Sequence, residues 1–239
     1  MGIKPFDVFV TQNSSFVLAY PARSVHPDYK YSLVIVEPRK HANFEFVCKT
    51  MLRFTNENWG LHVFHGNQNE EFVKNALKEV SNVIYTNLNV HNLSINDYNN
   101  LLTSMWFYEQ IRSEKLLVFQ TDSCLLKDGV DEFLNYDYVG APWPHRRNEV
   151  GNGGFSLRSK AFCLRVCNSV KRPAHMNEDV YFSVNGALQK ANFADYETAC
   201  RFSCENIKTN TLPLGVHQCV NRIEVPNLNQ QFEENFKMI

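Results

Sequence analysis

The stretch Leu116–Leu126 reads L-L-V-F-Q-T-D-S-C-L-L and decides which fold the sequence predicts. It opens with an apolar run that ends at Gln120, which is typical of a strand buried on both faces. The run breaks at Asp122, so we expect a carboxylate at the carboxyl end of a central strand. In open α/β sheets ligands bind at that edge, and a carboxylate there suits a divalent cation that carries phosphates. An ordinary turn aspartate that hydrogen-bonds its own backbone gives the same pattern.

The composition is that of a globular protein. Hydrophobic residues make up 44% and charged residues 21% of the 239 residues, close to the usual averages. No apolar run approaches the roughly 18 residues needed to cross a bilayer. The N-terminus lacks the apolar core of a signal peptide, and the seven scattered cysteines favour a reducing compartment. We therefore predict no membrane span and a cytoplasmic location, and the net charge of −1 indicates no nucleic-acid partner.

Strand and helix patterns alternate through the middle of the chain. Tyr31–Val36 reads Y-S-L-V-I-V, and apolar runs at 60–65 and 83–85 follow it, with helical spacing between the runs. This order predicts an α/β fold with a mixed, mostly parallel sheet flanked by helices, in one domain over residues 31–222.

The two ends of the chain show weaker patterns. Residues 1–30 contain several prolines and are predicted to be an irregular N-terminal arm. Residues 223–239 are mostly polar and are predicted to be a loosely docked C-terminal tail.

Three further positions place chemical groups next to predicted elements. Glu37 and Arg39 follow the strand Tyr31–Val36, which is the usual place for a base or ribose contact, although a solvated turn fits equally well. Trp143 stands between two prolines, so its ring is a rigid wall for a sugar or a base, or a cap on the core. His217 follows a small apolar turn, where a lone histidine is more often structural.

A glycine-rich loop and an acidic pair follow each other in the second half of the chain. Segment 151–154 has three glycines within four residues, which lets the backbone approach a ligand closely or adopt a positive φ. It has neither the spacing of a dinucleotide loop nor the lysine of a P-loop. Glu178 and Asp179 open an apolar helix, where the helix dipole favours acids, and where a general base beside the glycine loop is the functional alternative.

Four motifs in this order resemble the DUF5672-type group of glycosyltransferases with the Rossmann-like GT-A fold. They are F-Q-T-D-S, D-Y-V-G-A-P-W, G-N-G-G-F-S-L-R and N-E-D with an aromatic stretch, at Phe119–Ser123, Asp137–Trp143, Gly151–Arg158 and Asn177–Phe182. The resemblance covers about residues 31–220. It implies a hexosyltransferase-like enzyme (EC 2.4) that moves a sugar from a nucleoside-diphosphate sugar, UDP-linked by analogy, to a glycan or other hydroxyl acceptor.

The resemblance also implies a divalent cation, Mn²⁺ or Mg²⁺, held against the diphosphate. In the GT-A fold an Asp-x-Asp motif follows a central strand, and its last Asp binds the metal. Gln120-Thr121-Asp122 is the counterpart here, so Asp122 takes the metal role and Gln120 replaces the first carboxylate. The loss of one anionic group weakens the field on a cation, so we expect metal assistance without strict dependence. His217 matches by order the C-terminal histidine that many such enzymes add to the metal.

The remaining roles follow from the same resemblance. The glycine loop is similar to the stretch that borders the donor sugar in inverting galactosyltransferases. The E-D pair resembles their catalytic carboxylate motif, so Asp179 is the first choice of general base and Glu178 the second, with Trp143 on the acceptor side. One base opposite the leaving group implies inversion. The expected donor-binding residues are Glu37, Arg39, Gln120, Thr121, Ser123, Asn152, Gly153 and Gly154.

Two other interpretations stay open at this point. A glycan- or nucleotide-sugar-binding module that keeps the fold without turnover is suggested by the missing first Asp. A metal-dependent phosphoesterase is disfavoured, because the sequence shows no second cluster of Asp and His ligands for a two-metal site. The identities of the sugar, the nucleotide and the acceptor, and the oligomeric state, do not follow from the sequence.

Overall fold

The computed structural model describes residue 2 and residues 4–144 and 151–239. In this part of the chain the strands are Tyr31–Val36 (β1), Trp59–His65 (β2), Ile84–Asn87 (β3), Lys115–Phe119 (β4), Ser123–Leu125 (β5), Tyr138–Gly140 (β6), Phe155–Ser159 (β7), Ser203–Cys204 (β8) and Gly215–His217 (β9). The α-helices are Pro5–Ala19 (α1), Phe44–Arg53 (α2), Glu70–Ala76 (α3), Ile95–Leu102 (α4), Met105–Gln110 (α5), Lys160–Ser169 (α6), Glu178–Leu188 (α7), Tyr196–Phe202 (α8) and Leu228–Met238 (α9). Within the same residues, no helix has the length and apolar character that a membrane crossing requires.

Six strands of the described chain form the main sheet, in the order β3-β2-β1-β4-β7-β6. The strands β1, β2, β3 and β4 pair in parallel, while β7 runs antiparallel to both β4 and β6. The predicted α/β fold with a mixed, mostly parallel sheet is therefore confirmed. A second, small sheet has the order β5-β9-β8.

The central strand β4 is buried on both faces, as its apolar run predicts. Leu117 and Phe119 belong to the core cluster that also contains residues of α1, α2 and α9, whereas Leu116 and Val118 belong to the cluster beneath α5, α6 and α7. This division follows from the period of two in a strand, which sends neighbouring side chains to opposite faces. The sheet is thus a middle layer between two layers of helices.

The predicted irregular arm contains a helix in the structure. α1 begins with Pro5 in its first turn, where the missing N–H has no helical partner to lose, and it buries Phe6 and Phe9. The polar residues inside it disguise the helix in the sequence, because Asn13 and Ser14 bond to carbonyls one turn back instead of facing solvent.

The predicted loose tail is also a packed helix. α9 buries Phe232 and Phe236, which are 0% and 1% exposed. The ring of Phe232 lies 5.0 Å from the ring of Phe9, and the ring of Phe236 lies 5.5 Å from that of Phe16. Both ends of the chain therefore pack on each other and on the main core, and the N-terminal cap of α1 reaches the site described next.

Candidate functional site

A cavity of about 520 Å³ opens where the parallel strands β1 and β4 end. Its walls come from the turns after these strands, the loop before α4, the glycine loop, the start of α7 and the end of β9. Most of the sequence-predicted site residues line it, namely Glu37, Arg39, Gln120, Thr121, Asp122, Asn152, Gly154, Glu178, Asp179 and His217. Ser123, Trp143 and Gly153 are not part of its lining.

The turn after β4 directs Asp122 into this cavity. The hydroxyl of Ser123 accepts the N–H of Gln120 at 2.9 Å, which closes the turn between β4 and β5. The side chain of Asp122 keeps 19% of its surface exposed. Ser123 therefore shapes the turn in the structure and is itself fully buried.

The small sheet builds the other half of the site. His217 ends the middle strand β9 and lies opposite Ser123 of β5. Its Nε2 lies 3.4 Å from Oδ1 of Asp122, and its Nδ1 lies 3.1 Å from Oε1 of Glu205, the residue that follows β8. We call Asp122, Glu205 and His217 the His217 cluster.

The electrostatics of the His217 cluster oppose the effect of burial. Burial lowers the pKa of His217, but hydrogen bonds and charges from Asp122 and Glu205 outweigh it and raise the pKa to about 9. For Asp122, burial favours the neutral acid, but the hydrogen bond and charge of His217, together with the charge of Lys4, hold its pKa below the ordinary value. The imidazolium of His217 therefore lies between two carboxylates and compensates part of their negative charge.

The donor atoms of this cluster fit a divalent cation that a substrate helps to hold. A carboxylate oxygen of Asp122 and an imidazole nitrogen of His217 are ligands that Mn²⁺ accepts, and the remaining coordination positions suit diphosphate oxygens and water. Glu205 occupies the far nitrogen of His217 and is not a third ligand. In residues 4–144 and 151–239, no group of three or more His, Cys, Asp or Glu is arranged to hold a metal by itself.

The glycine loop packs directly against the side chains of the site. A Cβ on Gly153 would lie 1.9 Å from Oε1 of Glu178, and a Cβ on Gly154 would lie 2.4 Å from Nε2 of His217. In the described residues the glycine with a positive φ is Gly129, so the glycines of this loop are not needed for a left-handed backbone. They are needed because neighbouring atoms leave no room for a Cβ: side chains at Gly153 and Gly154, and the backbone of Ala141 at Gly151.

Glu178 forms a buried ion pair with Arg158, which we call the Arg158 pair. Arg158 is 0% and Glu178 is 4% exposed. Nη2 of Arg158 lies 3.0 Å from Oε1 of Glu178, and the guanidinium stacks over the ring of Tyr138 at 5.0 Å. Burial lowers the pKa of Arg158, but the charge of Glu178 raises it well above the ordinary value, so the guanidinium is charged. Burial raises the pKa of Glu178, and the charge of Arg158 opposes this effect only in part.

Asp179, the next residue, faces a different environment. It is partly exposed, and its Oδ2 accepts the N–H of Gly153 at 3.3 Å. Burial raises the pKa of Asp179, and hydrogen bonds from the N–H groups of Val180 and Gly153 offset this effect only in part. A cavity-lining carboxylate with a raised pKa has the properties of a general base.

The predicted base and ribose contacts form a second ion pair at the end of β1. Glu37 is 3% exposed and holds Arg39 through two contacts, from Nε at 2.8 Å and from Nη2 at 2.9 Å. The side chain of Arg39 remains 57% exposed. Glu37 therefore orients Arg39 at the cavity, and Thr121 contacts the same carboxylate at 3.4 Å. Trp143, the predicted acceptor contact, is 8% exposed and is not part of the cavity lining.

Sequence reasoning missed three residues of the site. Lys4 lines the cavity from the cap of α1, and Tyr98 lines it from α4. Glu205 reaches His217 from the position after β8, a strand of two residues. Such a short strand has no periodicity to recognise, and Lys4 lies in the segment that was predicted to be irregular.

A comparison with known families matches residues 82–217 to the family described as "Protein of unknown function (DUF5672)". The match contains all four motifs of the sequence analysis and covers more than half of the chain. No curated protein sequence matches the chain significantly.

Solved structures resemble this chain over most of its length. Mouse xyloside xylosyltransferase 1 in its apo form matches with a TM-score of 0.53 and 11% identity, over 83% of this chain and 100% of that one. The galactosyltransferase LgtC with donor and acceptor sugar analogues matches with a TM-score of 0.53 and 13% identity, over 87% of this chain and 96% of that one. The glycosyltransferase GlyE of Streptococcus pneumoniae TIGR4 matches with a TM-score of 0.52 and 14% identity, over 88% of this chain and 61% of that one. These likenesses establish that the fold is the GT-A fold of glycosyltransferases.

Proposed function

The chain belongs to the DUF5672 family and has the GT-A fold, and from these two premises we propose that it transfers a sugar from a nucleoside-diphosphate sugar to a hydroxyl group of a glycan or other acceptor. A fold by itself hosts many activities, so the argument rests on the site. The observation that carries it is one cavity, at the carboxyl ends of the central strands, that is lined by Asp122, His217 and Asp179 from three separate segments.

The donor end of the proposed site combines a cation with fixed positive charges. Asp122 and His217 would hold Mn²⁺ or Mg²⁺, which would supply charge neutralisation to the departing diphosphate. Lys4 and Arg39 line the same cavity and carry positive charges that attract an anionic donor. Gln120 replaces a carboxylate of the usual motif and places its Oε1 3.3 Å from Nε2 of His217. UDP-sugars are the first donors to test, by analogy with related transferases.

The acceptor end of the proposed site has Asp179 as its base. Asp179 would take the proton of the acceptor hydroxyl as that oxygen forms a bond to the anomeric carbon and the bond to the diphosphate breaks. A single base on the face opposite the leaving group gives inversion at the anomeric carbon. Glu178 is the poorer base of the two, because Arg158 holds its carboxylate in the core.

A thermal-shift experiment tests the donor site. UDP, GDP and their sugars are added with and without Mn²⁺ to the wild type and to Asp122→Ala. A ligand at about 100 times its Kd stabilises the native state by roughly 2.7 kcal/mol, which a melt resolves. We expect a Mn²⁺-dependent shift from one nucleotide class that disappears in Asp122→Ala. No shift from any nucleotide would contradict the proposed donor site.

A turnover experiment separates an enzyme from a binding module of the same fold. The sugar donor identified by melting is incubated with the wild type and with Asp179→Asn, and released nucleotide is measured with and without candidate glycan acceptors. An enzyme loses turnover in Asp179→Asn and keeps donor binding. Donor binding without turnover in the wild type would favour the catalytically silent module. NMR of the product reports its anomeric configuration, and retention would remove Asp179 from the role of an inverting base.

A further inference from the structure

The small sheet places three polar residues side by side across its strands. In the pairing of β5 with β9, Ser123 lies opposite His217. In the pairing of β8 with β9, Cys204 lies opposite Val216. One further step along the parallel register of β8 brings Glu205 opposite His217. Parallel neighbours in register point to the same face of a sheet. Asp122 lies at Nε2 of His217 and Glu205 at Nδ1, so the two carboxylates flank the imidazole on opposite sides.

One oxygen of Glu205, Oε1, contacts two parts of the site. It is 7% exposed. Its Oε1 lies 3.1 Å from Nδ1 of His217 and accepts the amide N–H of Asn152 at 3.0 Å. Its Oε2 is buried without a hydrogen-bond partner among the described residues. Burial of a carboxylate with one uncompensated oxygen destabilises a fold, so packing alone does not account for a glutamate here.

We propose that Glu205 is a positioning residue of the cation site, which accepts the N–H of Nδ1 of His217 and so leaves Nε2 directed at Asp122 and the cavity. The inference rests on the proposed function, since it concerns the cation that Asp122 and His217 would share. A carboxylate behind a metal-binding imidazole fixes its tautomer and ring orientation, and loss of such a partner typically weakens metal binding about 10–100-fold.

The second contact of Glu205 joins this imidazole to the glycine loop. Asn152 donates to Glu205 through Nδ2 and accepts the N–H of Gly154 through Oδ1 at 2.7 Å. Gly154 in turn packs against Nε2 of His217. The loop and the imidazole therefore share one carboxylate oxygen, so that the placement of His217 depends on the placement of the loop.

Titration of Mn²⁺ followed by electron paramagnetic resonance tests the proposal without an activity assay. Free Mn²⁺ is measured in the presence of UDP for the wild type, Glu205→Gln and the control Glu114→Gln. Glu114 carries the same charge, caps α6 through Ser159 and Ala161 and does not line the cavity. We expect Kd for Mn²⁺ to rise about 10–100-fold in Glu205→Gln and to stay unchanged in the control.

The outcomes separate this inference from the proposed function. Equal Mn²⁺ affinity in the wild type and Glu205→Gln would overturn the role of Glu205 alone. Absence of Mn²⁺ binding in the wild type would overturn both the cation site and the role of Glu205. UDP binding without Mn²⁺ and the melting temperature serve as structural readouts. If UDP binding without Mn²⁺ or the melting temperature falls together with the Mn²⁺ affinity in Glu205→Gln, the substitution damages the structure in general, and the positioning role is also overturned.

Discussion

The Arg158 pair and the His217 cluster hold buried charges against the same glycine loop, and they differ in what they face. Gly153 packs against the Arg158 pair and Gly154 packs against His217. Arg158 is 0% exposed, whereas the side chain of Asp122 in the His217 cluster is 19% exposed to the cavity. In the first centre the guanidinium of Arg158 is fully buried, and in the second the carboxylate of Asp122 has room for a ligand beside it.

The difference shows how two adjacent acids in one motif come to serve different purposes. Glu178 points into the core, where its charge compensates Arg158, and Asp179 points to the cavity, where its charge is only partly compensated. Removal of one partner of a buried ion pair destabilises the fold, because the other partner is left without compensation. We therefore expect substitutions at the Arg158 pair to affect stability and substitutions at Asp179 or the His217 cluster to affect ligands.

The largest effect is expected for Arg158→Met. The substitution leaves the carboxyl of Glu178 buried without its counter-ion, which should lower the free energy of unfolding by about 3–5 kcal/mol. Urea denaturation of the wild type and the variant measures the loss. The matched control is Arg165→Met, since Arg165 is exposed on α6 and its loss should stay within about 0.5 kcal/mol. A loss below about 1 kcal/mol in Arg158→Met would show that the pair contributes little.

The two adjacent acids should respond in opposite ways when each is replaced by its amide. Asp179→Asn should lower turnover about 10²–10⁴-fold, the usual contribution of a general base, without a loss of stability. Glu178→Gln should destabilise the fold, because Arg158 loses its counter-ion. Nucleotide release assays and urea denaturation of both variants measure the two effects. Loss of turnover in Glu178→Gln at full stability would instead make Glu178 the base.

Much of the fold could be predicted from the sequence, because its strongest signals are long apolar runs. The strands β1, β2, β3 and β4 were predicted from such runs, and the alternation with helices predicted the parallel order. α1 and α9 were not recognised as packed helices. These two helices pack against each other, as in the contact between Phe9 and Phe232. A local sequence pattern does not indicate which distant segment a helix face packs against.

The site was predicted in part, by the same logic. The carboxyl-edge rule placed Asp122 at the cavity, and the resemblance added His217 and Asp179. The resemblance ranked Asp179 before Glu178, but the sequence offered no physical reason for this order, because one helical step decides which of two similar side chains enters the core. Nor could it find Glu205, whose partner His217 lies 12 residues further along the chain and meets it through strands of two and three residues.

Substitution of Gly153 or Gly154 by alanine should affect the two centres differently. Gly153→Ala presses on Glu178, which the Arg158 pair holds in place, so we expect a loss of about 1–3 kcal/mol, as for an overpacked core. Gly154→Ala presses on the imidazole of His217, which borders the cavity. We expect a smaller loss of stability there, with at least a tenfold weaker Mn²⁺ affinity. Urea denaturation and Mn²⁺ titration of both variants test this division, and equal effects on Mn²⁺ would contradict it.

The smallest effect concerns the pH dependence of stability at Asp179. Because burial raises its pKa in the folded state, folding favours the protonated form, and the charge opposes folding once the pH exceeds the folded pKa. Asp179→Asn should therefore be slightly more stable than the wild type at pH 7, and this advantage should shrink as the pH falls through the folded pKa and vanish below the unfolded value of about 3.9. Urea denaturation of both proteins across this range measures the difference. An advantage that grows toward low pH would mean that the carboxylate of Asp179 is stabilised by the fold, which would remove the main physical difference between Asp179 and the buried Glu178.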